Sequence, residues 1–378
     1  MVNQHGEIRD MLKRFEVKNF KGFKDKLIFD LTARDYEFNK NLVVNGIVNK
    51  AIVYGKNGIG KSNLGIALFD IVMHLSDKER MQPQYLQNYI NLGSKEEFAD
   101  FTYYFQFDDD EVVYNYKKRD PYNLIEENLK INGRTVVFYN YFQKNNNIVD
   151  KEIVGDLKIE LIDNRLSVIK YIYRNMPTDL ESPLYKMMVF VESMLWYRGL
   201  TDGNSYCGFT NGGASLTEAL YVSGKKDEFE KFLLENGMNY KLGWVTNNGI
   251  HELYAEFPTG KRTPFISIAS TGTMSLFLFF FWSITSFNKI SFLFIDEFDA
   301  FFHYESAEDI VLRLNKNKKF QTVLTSHNTY LMQNKLTRPD CCFIMTENKI
   351  TNLFNSTSKE IREAHNLEKM YINGAFNE

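Results

Sequence analysis

The chain has 378 residues, which suits one large α/β domain carrying an inserted lobe better than a single minimal domain or three separate ones. With 44% hydrophobic and 25% charged residues it is globular, and a net charge of −3 excludes a globally basic nucleic-acid binder, so any DNA contact must come from a local patch. The three cysteines, Cys207, Cys341 and Cys342, form no C-x-x-C pair, which excludes a disulfide or zinc framework and points to a reducing cytoplasm.

The first fifteen residues lack the apolar core of a secretory peptide. Residues 13–31 alternate as two short strands around a turn at Gly22, and Ala51 to Tyr54 is a short apolar strand. A glycine loop follows, then a helix from Lys61 to Leu75 with Leu64, Ala67, Leu68, Ile71 and Leu75 on one face. Residues 98–116 read as a hairpin turning at Asp108 to Asp110, and 129–142 as another turning at Asn132-Gly133. From 150 to 245 the pattern is mixed and mostly helical, broken by a Gly/Asn-rich loop at 202–213. Strands are expected at His251–Phe257 and Thr263–Ile268, followed by a buried helix within MSLFLFFFWSITSF. That apolar run is about 14 residues, short of the ~20 that span a bilayer. A strand at Ile290–Ile295, a helix near 304–315, a strand at Thr322–Thr325 and a strand pair over 341–354 complete the chain.

Gly55-Lys56-Asn57-Gly58-Ile59-Gly60-Lys61-Ser62 fits G-x-x-x-x-G-K-[ST], after a strand and at the start of a helix. Its glycines let backbone N–H groups curl around phosphate oxygens, Lys61 reaches the β- and γ-phosphates, and the Ser62 hydroxyl ligates Mg²⁺. Phe292 to Ile295 is an apolar strand ending in Asp296 and Glu297. Asp296 at the strand tip suits Mg²⁺, and Glu297 suits the orientation or deprotonation of an attacking water. Ser270-Thr271-Gly272-Thr273 places small residues at the start of the buried helix, either as a second anion site or as an ordinary N-cap. His327 ends the strand after the carboxylate strand, where it can contact a γ-phosphate or its water. Lys13, Arg14, Lys18, Lys21, Lys24 and Lys26 form either a DNA-facing edge or a solvated strand face, and His303 is a structural or interface residue or lies near a partner's nucleotide.

At these positions the chain resembles the stand-alone bacterial ABC-type ATPases of the SMC-like and OLD-like branch, of the kind found in anti-phage defence. The glycine loop resembles Walker A, and Phe294 to Glu297 resembles Walker B with its catalytic Glu. Ser270 to Thr273 looks like a short signature motif, Asp299 falls on the D-loop position and His327 on the switch histidine. The stretch Asp296 to His303, the opening Lys18 to Phe23, and the ending Ala364 to Tyr371 with Gly374 to Phe376 carry further likeness. The resemblance covers 1–75 and 250–378. It implies an α/β P-loop NTPase of ABC type, a RecA-like core sheet with an antiparallel β subdomain, plus an inserted and mostly helical lobe. The expected parts are 1–145 and 249–378 for the ATPase domain and 146–248 for the lobe. By resemblance, ATP is bound by Asn57, Gly58, Gly60, Lys61, Ser62, Asn63, Ser270, Gly272, Thr273 and Asp299, and Mg²⁺ by Ser62 and Asp296, with Glu297 and His327 catalytic.

Four features depart from the pattern. Gln82, Gln84, Gln87 and Gln106 leave the glutamine loop unassigned, and the signature lacks a double glycine. The middle of the chain has no sustained heptads for long coiled-coil arms, and no nuclease domain is expected after His327. The resemblance implies a cytoplasmic ATPase, a homodimer or higher even-numbered oligomer, working with a separate effector such as a TOPRIM-type nuclease or a toxin and without a membrane. The alternatives are a RecF- or SMC-type DNA-repair ATPase and a nucleotide-held scaffold with little turnover.

Overall fold

Alternation of apolar and polar side chains builds the first half of the molecule. In the computed structural model, which describes residues 10–78, 83–155, 157–161, 163–199, 206–209 and 215–376, strands β1 (Asp10–Lys18) and β2 (Leu27–Asp30) pair antiparallel around Gly22. A small hairpin, β3 (Val43–Val44) and β4 (Ile47–Val48), leads into β5 (Lys50–Tyr54). Then come β6 (Ala99–Phe107), β7 (Asp110–Lys118), β8 (Leu124–Ile131), β9 (Arg134–Asn140) and β10 (Ile148–Val149). These make a seven-stranded antiparallel sheet in the order β10-β9-β8-β7-β6-β1-β2. The β8–β9 turn has Asn132 at φ 50° and Gly133 at φ 79°, the positive pair that a two-residue hairpin of matching twist requires.

The second sheet holds β11 (Met194–Arg198) and β12 (Tyr206–Gly208), and farther along the chain β16 (Phe292–Asp296), β17 (Gln321–Ser326), β18 (Cys342–Met345) and β19 (Ile350–Asn352). Between them a separate small sheet is formed by β13 (Lys241–Asn247), β14 (Ile250–Glu256) and β15 (Arg262–Pro264). The order of the second sheet is β12-β11-β16-β17-β5-β18-β19, parallel across β11, β16, β17, β5 and β18. β5, β16 and β17 are buried at every residue, as a parallel sheet covered on both faces demands. Alternate residues feed two cores. Val53, Phe294 and Val323 join Leu64, Leu68 and the antiparallel sheet, while Ile52, Ile295 and Leu324 pack with Leu276 to Trp282 of the helix Thr271–Thr285.

Three expectations meet a different outcome. The expected single helix over Lys61 to Leu75 is two helices, Lys61–Leu68 and Asp70–Leu75, broken at Phe69. The Tyr103 hydroxyl donates to the Ala67 carbonyl at 2.9 Å at this break, and the buried Asp70 accepts from Tyr85, Tyr89, Tyr116 and Lys118. The 146–248 segment holds the helices Lys151–Val154, Val168–Asn175, Pro183–Glu192, Leu216–Ser223 and Lys226–Glu235, in keeping with a mostly helical segment, but it also contributes β10 to the first sheet, β11 and β12 to the second and β13 to the small one. Its Asn248-Gly249 turn, with both residues at positive φ, folds β13 onto β14. The strand expected at Thr263–Ile268 stops at Pro264, and Phe265–Ile268 is a helical turn, because the fixed φ of Pro264 (−53°) sets it as the helix's flanking residue. Most of the Gly/Asn-rich loop at 202–213 lies outside the described residues.

Candidate nucleotide site

The C-terminal ends of β5, β16 and β17 converge, and a cavity of about 190 Å³ opens there. It is lined by Asn57, Gly58, Gly60, Lys61, Ser62, Asn63, Glu297 and His327, so three separate stretches of chain meet. The glycine loop takes its shape from local sterics. Gly58 and Gly60 have φ of +78° and +106°, open to glycine and costly to other residues. A Cβ on Gly60 would stand 3.1 Å from the Phe23 ring, so the opening Phe20 to Phe23 turn braces the loop. Beyond the loop, a Cβ on Gly65 would fall 2.7 Å from Phe294 and 2.8 Å from Trp196, and this absence of a side chain seats the helix Lys61–Leu68 directly on β16 and β11.

The Lys61 ammonium donates to the carbonyls of Gly55 (2.7 Å) and Lys56 (3.1 Å) and lies 3.3 Å from His327 Nδ1. Partial burial lowers its pKa, against the opposing pull of Asp296, Glu297 and Asp299. Asp296 is fully buried. Its Oδ1 accepts from the Thr325 hydroxyl at 2.8 Å, and Thr325 Oγ1 in turn accepts the Glu297 backbone N–H at 2.7 Å. Burial raises the Asp296 pKa, opposed by hydrogen bonding from Ser62 and Thr325 and by the charge of Arg198. Glu297 turns away from the strand at φ 50°, an unusual value for a non-glycine residue, which carries its carboxylate to the cavity rather than into the core.

Other residues of the expected constellation lie elsewhere. Ser270 caps the helix Thr271–Thr285 by accepting from Thr273 N at 3.1 Å, and none of Ser270, Gly272 or Thr273 lines the cavity within the one chain. Asp299 also stands outside the lining, and its carboxylate accepts from Ser326 at 2.6 Å while burial raises its pKa. Gln87 and Gln106 do not line the cavity; Gln82 is outside the described residues. Four members of the basic stripe are paired with acids: Lys13 with Glu111, Arg14 and Lys26 with Glu16, and Lys18 with Glu96. Their pairing fits a solvated strand face. Lys118, between Lys117 and Arg119 in sequence, is fully buried and paired with Asp70.

Two functional neighbours escape the sequence motifs. Thr325 ties the Asp296 carboxylate to the Glu297 backbone N–H, and Arg198 at the end of β11 reaches the Glu297 carboxylate with its Nη2 at 2.8 Å. The sequence signal for Arg198 is the apolar run MLWY closing on a charge, the same form as the carboxylate strand.

A parallel sheet whose first strand runs through a glycine loop into a helix, beside a strand ending in Asp-Glu, defines a P-loop NTPase with an ABC-type core. The chain belongs to the RecF/RecN/SMC N-terminal domain family, whose sequence model spans residues 11–352. Among solved structures it is similar to an SMC head bound to the C-terminal winged-helix domain of ScpA, at 16% identity and a TM-score of 0.46 over 90% of this chain and 97% of that one. It is similar also to the SMC head domain from Thermotoga maritima, at 14% identity and TM-score 0.41 over 90% and 98%. A third likeness is to the recombination mediator RecF with ATP, at 14% and 0.40 over 91% and 99%. No curated protein matches the chain. Among the described residues no helix is long and apolar enough to cross a membrane.

Proposed function

We propose that this protein binds ATP with Mg²⁺ and hydrolyses it, as an ABC-type ATPase completed by a second copy of itself. The observation that carries the reading is the meeting of the loop 57–63 with Glu297 and His327 around one cavity. Lys61 is held there by two carbonyls and an imidazole, partners that phosphate oxygens can replace. The loop N–H groups and the start of the helix Lys61–Leu68 stabilise the phosphate charge. Asp296 Oδ2 is buried and makes no close hydrogen bond among the described residues, with the Ser62 hydroxyl nearby and Arg198 Nε 3.7 Å away, and this oxygen and hydroxyl suit a divalent cation. Ser62 and Asp296 would hold Mg²⁺, which offsets the charge of the β- and γ-phosphates. Glu297 takes the proton of the attacking water, and His327 orients the γ-phosphate or that water.

The proposal of a second copy rests on Ser270 and Thr271. They are exposed at a helix N-terminus and outside the cavity, so another molecule's phosphate is the anion they can serve. Replacing Glu297 with Gln keeps shape and removes the base. ATP should still bind while turnover falls by about 10²-fold or more, and parental turnover would remove Glu297 from the chemistry.

For the biological setting we propose cytoplasmic anti-phage defence, in which the ATP-bound dimer controls a separate nuclease or toxin; the likeness of 296–303 and 364–376 to stand-alone defence ATPases supports it. Family membership supports a second reading, a DNA-repair ATPase that binds DNA across its dimer. ATP-stimulated, salt-dependent DNA binding favours the second, and a co-purifying effector favours the first.

A further inference from the structure

Arg198 and Asp296 are register partners at the ends of neighbouring parallel strands. The Arg198 guanidinium donates to Glu297 Oε2 from Nη2 at 2.8 Å and from Nε at 3.3 Å, while Nε lies 3.7 Å from Asp296 Oδ2. One cation therefore serves both carboxylates at the end of β16. Two charge-assisted hydrogen bonds from one planar guanidinium fix the orientation of the Glu297 carboxylate. A divalent cation at Asp296 would stand against a guanidinium a few ångströms away, and the two repel.

We propose that Arg198 is a positioning residue that competes with Mg²⁺ for the Asp296–Glu297 pair. Before nucleotide binds it holds both carboxylates and restrains Glu297; with Mg²⁺ and nucleotide held at Ser62 and Asp296, the guanidinium would move off and leave Glu297 free to meet water. The proposal rests on the nucleotide-site reading above. Reciprocity follows from linkage: whatever Arg198 costs metal binding, metal costs the Arg198–Glu297 contact. No existing motif predicts this role, since it comes from β11 lying next to β16 and from two side chains 99 positions apart in sequence.

The test titrates Mg²⁺ into the full chain with a fixed concentration of a fluorescent ATP analogue and reads bound nucleotide. Arg198→Gln should lower the Mg²⁺ concentration at half-saturation by about tenfold. Arg198→Lys keeps the charge and loses the two-pronged contact, and should lower it by about threefold. A thermal melt accompanies each titration. A purely structural role would lower the melting temperature and leave the Mg²⁺ midpoint in place, and an unchanged or raised midpoint in whichever variant folds overturns the proposal. Lys61→Ala is the control. If the parent binds no nucleotide with Mg²⁺, or Lys61→Ala binds as well as the parent, the nucleotide-site reading itself falls, a result distinct from an unmoved midpoint in a protein that binds.

Discussion

Replacing Lys118 with Met should destabilise the protein by about 3 kcal/mol. Lys118 Nζ lies 2.8 Å from Asp70 Oδ1, with both side chains fully buried. Removing one partner of a buried pair costs about 3–5 kcal/mol, because the other charge stays in the interior. The lower end applies here. Asp70 keeps the hydroxyls of Tyr85 and Tyr89, each at 2.7 Å, and of Tyr116 at 2.9 Å. These donors share the carboxylate charge but cannot cancel it. The double variant Lys118→Met with Asp70→Asn buries no net charge, and its amide oxygen still accepts from tyrosine, so it should lose only about 1–2 kcal/mol. Urea unfolding followed by intrinsic fluorescence measures both, read as a shift of midpoint at constant slope. A loss below about 1 kcal/mol for Lys118→Met, or a double variant as unstable as the single, would refute the reasoning. The contact has a functional bearing, because Asp70 opens the helix that continues the one following the glycine loop and so anchors that loop to β7.

Other outcomes follow from single contacts. Thr325→Val removes the tie between the Asp296 carboxylate and the Glu297 backbone N–H and should cut turnover by about tenfold with a stability cost of about 1–2 kcal/mol; parental turnover would show the tie to be dispensable. Gly65→Ala should cost about 1–3 kcal/mol by overpacking against Phe294 and Trp196, and an unshifted thermal midpoint would contradict the close approach. Lys50 is buried against the Phe320 carbonyl and Thr322, and burial alone lowers its pKa to about 7. In the unfolded chain a lysine holds its proton to about pH 10.4, so between about 7 and 10 the unfolded state binds more protons and stability should rise with pH. Below about 7 both states are protonated and the contribution is flat and least favourable. Lys50→Met should flatten that rise, and an identical pH dependence in the two proteins would count against a depressed Lys50.

The parts of the site legible in the sequence are those where backbone chemistry restricts the residue. Gly58 and Gly60 require positive φ, Lys61 and Ser62 follow at fixed offsets, and Asp296-Glu297 closes an apolar run read beside that loop as a strand. The hairpins at Asp108 and Asn132 were legible for the same reason, since both residues adopt φ of 50°. What stayed hidden depends on partners distant in sequence. β11 carries an apolar run that fits a buried helix as well as a strand, and only its pairing with β16 decides. Lys118 sits in a basic cluster that reads as surface until Asp70 is brought beneath it. Arg198 is silent as a motif because its meaning lies in Glu297.

The central claim is tested most directly by mixing two chains, each inactive by a different half. Lys61→Ala removes the phosphate lysine. Thr271→Glu puts a carboxylate on the exposed helix N-terminus that we propose meets the other copy's phosphate, and an acidic residue in the first turn favours the helix itself. Gly272 is a poorer choice, since a Cβ there would lie 2.7 Å from the Phe301 carbonyl. If the site is shared across a symmetric pair, half of the randomly mixed dimers hold both variants, and each of those has one intact site and one doubly damaged site. ATPase activity should then return from two inactive parents to about a quarter of the parental rate. No recovery, in a mixture where two-variant dimers demonstrably form, would contradict the account, as would a parental rate per chain that stays constant on dilution to verified monomer.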